Sequence, residues 1–510
     1  MSSAPLIPLT LVAPGAFGLN RQNSGALLSD RWLTEAENVV FDAYGRVAAR
    51  KGWTDVTATA ISGTPNIEQV FEYRQSDGDT FIVAAAGNDI FNGVSAPASV
   101  KGALTITANN WKFVNFNNKV YGLQTGHPLI EWAGTSNFAA TTASAGSVPD
   151  GNELLSAFGR LWGTSSDGQT VKWSALLDAT LWSGTGTGSV NLTNVWPNKS
   201  DNIVALAAFN SFLIVFGRSN ILVMADGSGS SIGLDPQNIY VVDSIAGVGC
   251  VARDSVQNIG GTDIVFLSQN GVMSLNRIIQ ERSSPMRDLS VNNRDYVITL
   301  TKGETVGKIR STYNPIEAMY ILLFPTLNRI LYFDTKGYLE NGSWKMTEWT
   351  GFIPLSLYTT DNGTYTYAGK AGNLYTYSGK QDNGGAFTVK IATGWLALAE
   401  QIMDRVKVLK RIESVFNLYG NMSITWKWYV DFKDTYSSIT KNYSYPYSGG
   451  EWGIGEYGLA EFGTQYTLLE AEVPAKDDGQ FIKLAIQVSI NDADIAFQQM
   501  QVFSKIGRLT

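Results

Sequence analysis

One unit recurs along this chain and restricts it to a few folds: an apolar-alternating strand, a turn built on Gly, Asn or Asp, and a second strand ending in an aromatic residue or Leu. It runs over residues 81–91 with its turn at Gly87-Asn88, 119–132 about Gly126, and 160–173 about Asp167-Gly168. It returns at 212–224, at 263–275 about Asn270-Gly271, at 319–324 with 329–333, and at 364–377 about Gly372-Asn373. Period-two alternation on either side of such a turn is the signature of a β-hairpin. The turns lie about 40–55 residues apart, close to the spacing of propeller blades. A lone hairpin cannot cover its own apolar face, so neighbours must stack, and closing the stack into a ring leaves few open edges. The expected fold is all-β, with a β-propeller of six to eight blades; seven units are counted. A series of sandwich strands is the competing arrangement.

Composition agrees with this pattern. Charged residues make up 16% of the 510, against roughly 25% in ordinary soluble chains. Gly occurs 51 times and aromatic residues reach 12%, which suits many tight turns between half-buried strands. A hydrophobic content of 44% can bury a large core and excludes global disorder. The single cysteine, Cys250, excludes an intrachain disulfide and a multi-cysteine zinc site. The single histidine, His127, excludes multi-histidine metal sites and paired-histidine acid–base chemistry. A net charge of −7 gives no global attraction to nucleic acid. No run of 18 or more apolar residues occurs, and residues 1–19 lack a basic region before an apolar run. A multi-domain protein made in a reducing cytoplasm, without a secretory signal, is therefore expected.

Three parts are expected: an N-terminal helix-and-hairpin segment at 1–60, the propeller at 61–385 and an antiparallel β-sandwich at 386–510. Asp30 can N-cap a short helix through Glu37. A hairpin follows, with strands at 39–42 and 46–53 about Ala43-Tyr44-Gly45. Sandwich strands are expected at 387–391, 405–416, 423–432, 466–473, 481–490 and 496–505, from their alternation and spacing.

The chemical motifs read as turns and loops. Gly229-Ser230-Ser231-Ile232-Gly233 fits the nucleophile elbow of serine hydrolases, whose histidine follows the serine in chain order; His127 precedes it. Gly303-Glu-Thr-Val-Gly307-Lys308-Ile309 is one residue short of a P-loop and carries Ile where a hydroxyl must hold magnesium. Gly184-Thr-Gly-Thr-Gly188 has no helix after it to receive a phosphate. Residues 164–170 are similar to the Asp box of sialidase-type propellers but lack its residue between Asp and Gly, so an Asp167-Gly168 hairpin turn is expected. His127, before Pro128, reads as a surface polar residue on a turn. The six sequons at Asn191, Asn198, Asn341, Asn362, Asn421 and Asn442 carry little weight without an export signal. No catalytic, cofactor-binding or metal-binding residue is nominated, and a non-enzymatic protein without cofactor is expected. One pattern stands apart: Glu451-Trp452-Gly453, Glu456-Tyr457-Gly458 and Glu461-Phe462-Gly463 repeat every five residues, a period of neither helix nor strand. Such a run can be a sugar-stacking or subunit-clasping strap, or an aromatic loop fastened to its own sandwich.

The N-terminal segment and the layout resemble the tail nozzle proteins of short-tailed bacteriophages, also called tail hub, tubular tail or packaged-DNA stabilisation proteins. The resemblance lies in Phe17-Gly18-Leu19-Asn20, in the segment 30–37, and in Ala36-Glu37-Asn38-Val-Val-Phe-Asp42-x-x-Gly45-Arg46-x-x-x-Arg50-Lys51-Gly52-Trp53. The Glu-aromatic-Gly pentads and the ending at 497–508 add to it. Together these cover about a fifth of the chain. The resemblance implies a homo-hexamer in the virion tail, assembled from chains made in the bacterial host cytoplasm. The ring would sit below the head-tail adaptor, with docking surfaces for a tailspike or tail fibre and a tail plug or needle at its end. Double-stranded DNA would pass through its lumen without sequence-specific binding. Long insertions between blades, which larger members carry, are lacking here. Six copies at −7 each would sum to about −42, a wall that repels phosphates rather than retaining them. A carbohydrate-binding or receptor-binding propeller of the tail, or another baseplate component, is the alternative reading.

Overall fold

The computed structural model describes residues 6–107, 109–197, 201–226, 238–276, 288–398, 405–445 and 467–509. Six of the seven recurring hairpins form the two middle strands of an antiparallel meander, and the hairpin at 263–275 forms the middle and outer strands of a three-stranded sheet. In the first blade Ile67–Arg74, Thr80–Ala86, Asp89–Asn92 and Ala98–Ser99 pair in sequence order. The innermost strands of the following sheets are Lys112–Phe116, Leu154–Ala157, Ile203–Phe209, Gln257–Ile259, Arg310–Asn314 and Ser356–Thr359. Six of these units are separate small sheets in a propeller arrangement. The four-stranded meander from Arg310 to Trp349 sits in the same circle, between Gln257–Ile259 and Ser356–Thr359, and is joined at its outer edge to a large sheet.

The circle closes on itself. Ser356–Thr359 packs against Ile67–Arg74 of the first blade. Trp53–Asp55 supplies the fourth strand of the last blade by pairing with Asn373–Tyr377, so a strand from the start of the chain completes a blade from its later part. The cores lie between neighbouring blades. Tyr73, Val83, Trp111, Phe113 and Trp132 fill the gap between the first two, while Trp162, Trp173, Leu206 and Leu222 fill that between the third and fourth. Phe216 and Phe266 join the next pair, their rings 4.9 Å apart. Sheets stacked face to face in this way bury alternate residues and leave each blade dependent on its neighbours.

The C-terminal part is a large mixed sheet organised by one strand of 26 residues, Arg405–Val430. Its first half pairs with Asp494–Leu509 and Thr467–Pro474. Its second half pairs with Tyr436–Tyr445 and Phe481–Ile490. The sequence pattern suggests two strands, at 405–416 and 423–432; the chain instead continues through the changeover. Gly420 adopts φ +81° there, with backbone of Asp492 2.8 Å from where a Cβ would stand. Only a residue without a Cβ turns the strand at that point without breaking it. Tyr436–Tyr445, a strand not foreseen from sequence, follows the turn after Val430 and pairs back on Gly420–Tyr429.

The expected helix over 30–37 is instead the strand Trp32–Glu37. It pairs in parallel with Gly18–Leu19 and, at Glu37–Glu348, with Lys345–Trp349, and antiparallel with Phe387–Thr393. Partners on both edges outweigh the local N-cap signal. This strand bridges the propeller meander and the C-terminal sheet. The hairpin after it forms as expected, Val39–Phe41 with Val47–Ala49. Arg294–Gly303 is the one α-helix lying wholly within the described residues, and no helix among them is long and apolar enough to cross a membrane.

Candidate functional site

The residues carrying the N-terminal resemblance form a buried fastener. Asn38 is 2% exposed and stands at φ +58°, a conformation Asn tolerates better than most residues. Its Nδ2 donates to Thr388 O (2.7 Å), and its Oδ1 accepts from Arg50 Nε and Thr350 N, both at 2.9 Å. Arg50 donates to both oxygens of Asp382, at 2.8 and 2.6 Å, and its guanidinium lies 4.2 Å from the Phe387 ring centroid. A bidentate pair with a fully buried guanidinium and a largely buried carboxylate is satisfied by geometry rather than by water. Asp42 Oδ1 accepts from Tyr44 N and Arg46 N, fixing the hairpin turn. Gly52 passes so close to Gln381 O that a Cβ would lie 1.8 Å from it. Trp53, fully buried, packs on Tyr377 and Phe352 at 5.3 and 5.8 Å. The Asn, Arg, Gly and Trp of the motif thus hold N-terminal segment, last blade and C-terminal sheet together. A groove of about 780 Å³ remains where the three meet, between Tyr44, Lys51, Ile316 and Leu468.

The second site lies at the propeller axis. The innermost strands run in one sense around the ring, so the residues at their starts gather at one face. Those residues include Lys112, Glu153, Arg253, Asp254 and Arg310. Arg253 Nη1 donates to Asn152 O (2.8 Å) and Asn110 O (3.0 Å), and its Nη2 to Asp254 Oδ2 (2.8 Å). Arg310 Nη1 donates to Gly307 O (2.6 Å) and lies 3.2 Å from Asp254 Oδ2. Burial opposes the charge of Asp254, yet Arg253, Arg310 and Lys112 together hold its carboxyl well below the usual range. Glu153 has the opposite fate. It is 2% exposed, its nearest cations are Lys112 Nζ at 3.7 Å and Arg253 Nε at 3.9 Å, and neither oxygen has a well-formed hydrogen bond among the described residues. Burial pushes its carboxyl up to about 7, with Asp254 adding to the rise and Lys112 and Arg253 opposing it.

A cavity of about 400 Å³ opens beside this cluster, between Asn110, Asn152, Asn202, Arg218, Arg253 and Arg310. The guanidinium groups of Arg253 and Arg310 are occupied by carbonyls, amides and Asp254, so they cross-link blades rather than await an anion. Two carboxyls driven in opposite directions are the usual mark of acid–base chemistry, but Glu153 does not line the cavity. The arrangement ties the inner ends of several blades to one another. None of these residues was singled out from sequence. The signal was present as charged residues placed just before or at the first strand of four of the blades: Lys112, Glu153, Arg253-Asp254 and Arg310.

The other motifs find plain roles. Asp167 caps the turn between Arg160–Thr164 and Thr170–Trp173, accepting from Gln169 N and Thr170 N at 2.9 Å. The P-loop-like stretch is the end of the Arg294–Gly303 helix and a 3₁₀ turn, Val306–Lys308. Gly184 to Thr187 form a loop leading into the strand Gly188–Asn191. His127 departs from its expected surface position: it is 9% exposed, its Nε2 accepts from Thr107 N at 3.0 Å, and it meets Trp111 edge-on at 5.5 Å. The turn before Pro128 folds under the blade, where this backbone donor needs an acceptor. Cys250 is fully buried, with its thiol donating to Ala252 O at 3.1 Å. The elbow-like stretch 229–233 and the three pentads at 451–463 lie outside the described residues. Among the described residues no group of three or more His, Cys, Asp or Glu could hold a metal ion. No protein-family model matches this chain, and no curated protein is similar to it.

Proposed function

We propose that this protein is a structural, ring-forming subunit of a short-tailed phage tail nozzle, present in six copies about a channel for genome retention and ejection. The observation that carries this reading is the buried Asn38–Arg50–Asp382 fastener. The residues of the N-terminal resemblance are those that lock a propeller to a second β-domain, and a tail component under load requires such a rigid two-body unit. The axial cavity adds support. At about 400 Å³ it is the size of a small-molecule pocket and is braced by saturated ionic cross-links, so a duplex cannot pass through one propeller. A DNA path must then be enclosed between copies, which is the architecture of a nozzle, and heterologous contacts that close generate such rings. The head-tail adaptor would meet one end of the ring and a tailspike or fibre its flank.

Electron microscopy of the purified full-length protein tests this reading, together with its mass by light scattering. The expected result is a six-fold ring with a central bore. A monomeric mass, with no incorporation into phage particles when the protein is supplied in trans, overturns it.

A further inference from the structure

At the tip of the C-terminal sheet, remote in sequence from the propeller, the chain turns from Arg405–Val430 into Tyr436–Tyr445 through a tight turn closed by Lys433 N donating to Val430 O (3.2 Å). Both central residues are left-handed, Asp431 at φ +48° and Phe432 at φ +60°. Turns of this hand favour Asn-Gly, because a side chain at the second position is strained. Asp431 suits its place: its Oδ1 accepts from Gln480 N (2.7 Å) and Phe481 N (3.0 Å). Phe432 does not, and its ring remains 51% exposed. A bulky residue held in a strained conformation and shown to solvent marks a position shaped by something other than folding.

The ring does not stand alone. Phe432 packs against Trp395 at 4.9 Å and Phe481 at 5.0 Å, inclined by 46° and 43°. Tyr429 lies 6.5 Å from Trp395 and 5.4 Å from Tyr436, which is also 51% exposed. The turn Gly25–Leu27, with Leu27 82% exposed, is fastened beside them by Trp395 N donating to Gly25 O (2.8 Å). Charges of both signs surround the rings. Lys427 Nζ stands 4.9 Å from the Tyr436 centroid and Lys483 Nζ 5.4 Å from that of Tyr429, while Glu35 and Asp434 bring negative charge near the Tyr429 phenol. Lys433 and Asp431 belong to the turn itself.

We propose that this tip is a binding site for a neutral oligosaccharide, stacked on Phe432 and Tyr436 and hydrogen-bonded by the surrounding lysines and carboxylates. Exposed rings offer flat apolar faces to the C–H side of a sugar, and the mixed charges offer both donors and acceptors to its hydroxyls. The balance of signs gives no net field to hold a polyanion, which separates this site from one for nucleic acid or anionic lipid. Lys, Asp and Glu interleaved with the rings are also the residue types depleted from the centres of protein–protein interfaces. The inference stands on the tip alone and does not depend on a six-fold ring.

The test is a printed array of neutral and uronate-bearing oligosaccharides probed with the full-length protein, with neutral hits then titrated calorimetrically at low and high salt. The expected result is saturable binding of at least one neutral oligosaccharide, unchanged by salt. Phe432→Gly, which relieves the strained turn, and Tyr436→Ser each weaken it about tenfold while keeping the wild-type circular dichroism spectrum. Tyr436 lies on a half-exposed strand, so its replacement provides a second reading should Phe432→Gly perturb the turn. Absence of any neutral ligand, retention of wild-type affinity in both variants, or binding confined to acidic glycans and lost at high salt overturns the proposal.

Discussion

The buried carboxyl at the propeller axis should give this protein an unusual response to pH. Glu153 moves from an ordinary value of 4.5 to about 7 because burial disfavours its charge more than Lys112 and Arg253 restore it. A carboxyl raised on folding holds its proton more tightly in the native state than in the unfolded chain, so stability falls as pH rises through the interval between the two values. Each pH unit in that interval is worth about 1.4 kcal/mol, and the whole effect is about 3 kcal/mol, complete just above pH 7. Asp288, also pushed up by burial to about 6, acts in the same direction. Asp254 acts oppositely: its depressed carboxyl withdraws stability only in strong acid. Comparison of wild type with Glu153→Gln isolates one term, because the carboxamide keeps the shape and never ionises. The variant should gain about 2.5 kcal/mol relative to wild type between pH 5 and pH 8. For a cooperative unit of roughly 300 residues, that corresponds to about 4 °C in Tm. Thermal unfolding of both proteins at the two pH values, followed by circular dichroism, measures the difference. A gap in Tm that does not change with pH would refute the reasoning, since Glu153 would then be ionised to the same extent folded and unfolded.

Three further outcomes are expected. Arg50→Ala leaves the largely buried Asp382 without its partner and should cost about 3 kcal/mol, read as a lowered urea midpoint; Asp382→Asn in the same background should recover part of that loss. Gly52→Ala drives a Cβ into Gln381 O and should destabilise by about 2–3 kcal/mol, with proteolysis in the last blade as an independent readout. The Cys250 thiol, pushed up to about 12 mainly by burial, should resist a thiol-specific reagent in the native protein and react stoichiometrically once unfolded.

The propeller was legible in the sequence because its signal is local. Every recurring hairpin has its turn and both strands within some 15 residues, and each became part of a blade, six of the seven as its middle pair. The inner and outer strands were not legible, because their pairing is decided by neighbours: Trp53–Asp55 reads as the end of a hairpin until Asn373–Tyr377 is present. The same limit explains the segment 30–37, where an N-cap signal predicts helix and two distant edges impose a strand. In 405–430, a glycine that reads as a break serves as a bend. Of the two sites, the fastener could be located but not explained, since the motif identifies Asn38 and Arg50 while their partners Asp382 and Thr388 lie more than 300 residues away. The axial ion cluster was hidden for a different reason. Its members are scattered singly, one or two per blade, and only ring closure brings them together.

That Ile7–Val12 finds its ladder partner in Asp494–Leu509, with Ile7 opposite Ser504, has a consequence during synthesis. A nascent chain on the ribosome can complete its middle blades early, each from contiguous residues. It must nevertheless hold Ile7–Val12 in waiting until Asp494–Leu509 has emerged. Translation that stops before Asp494–Leu509 leaves this edge bare, available to pair with a neighbour, so such truncated products should enter inclusion bodies while chains that carry that strand remain dispersed.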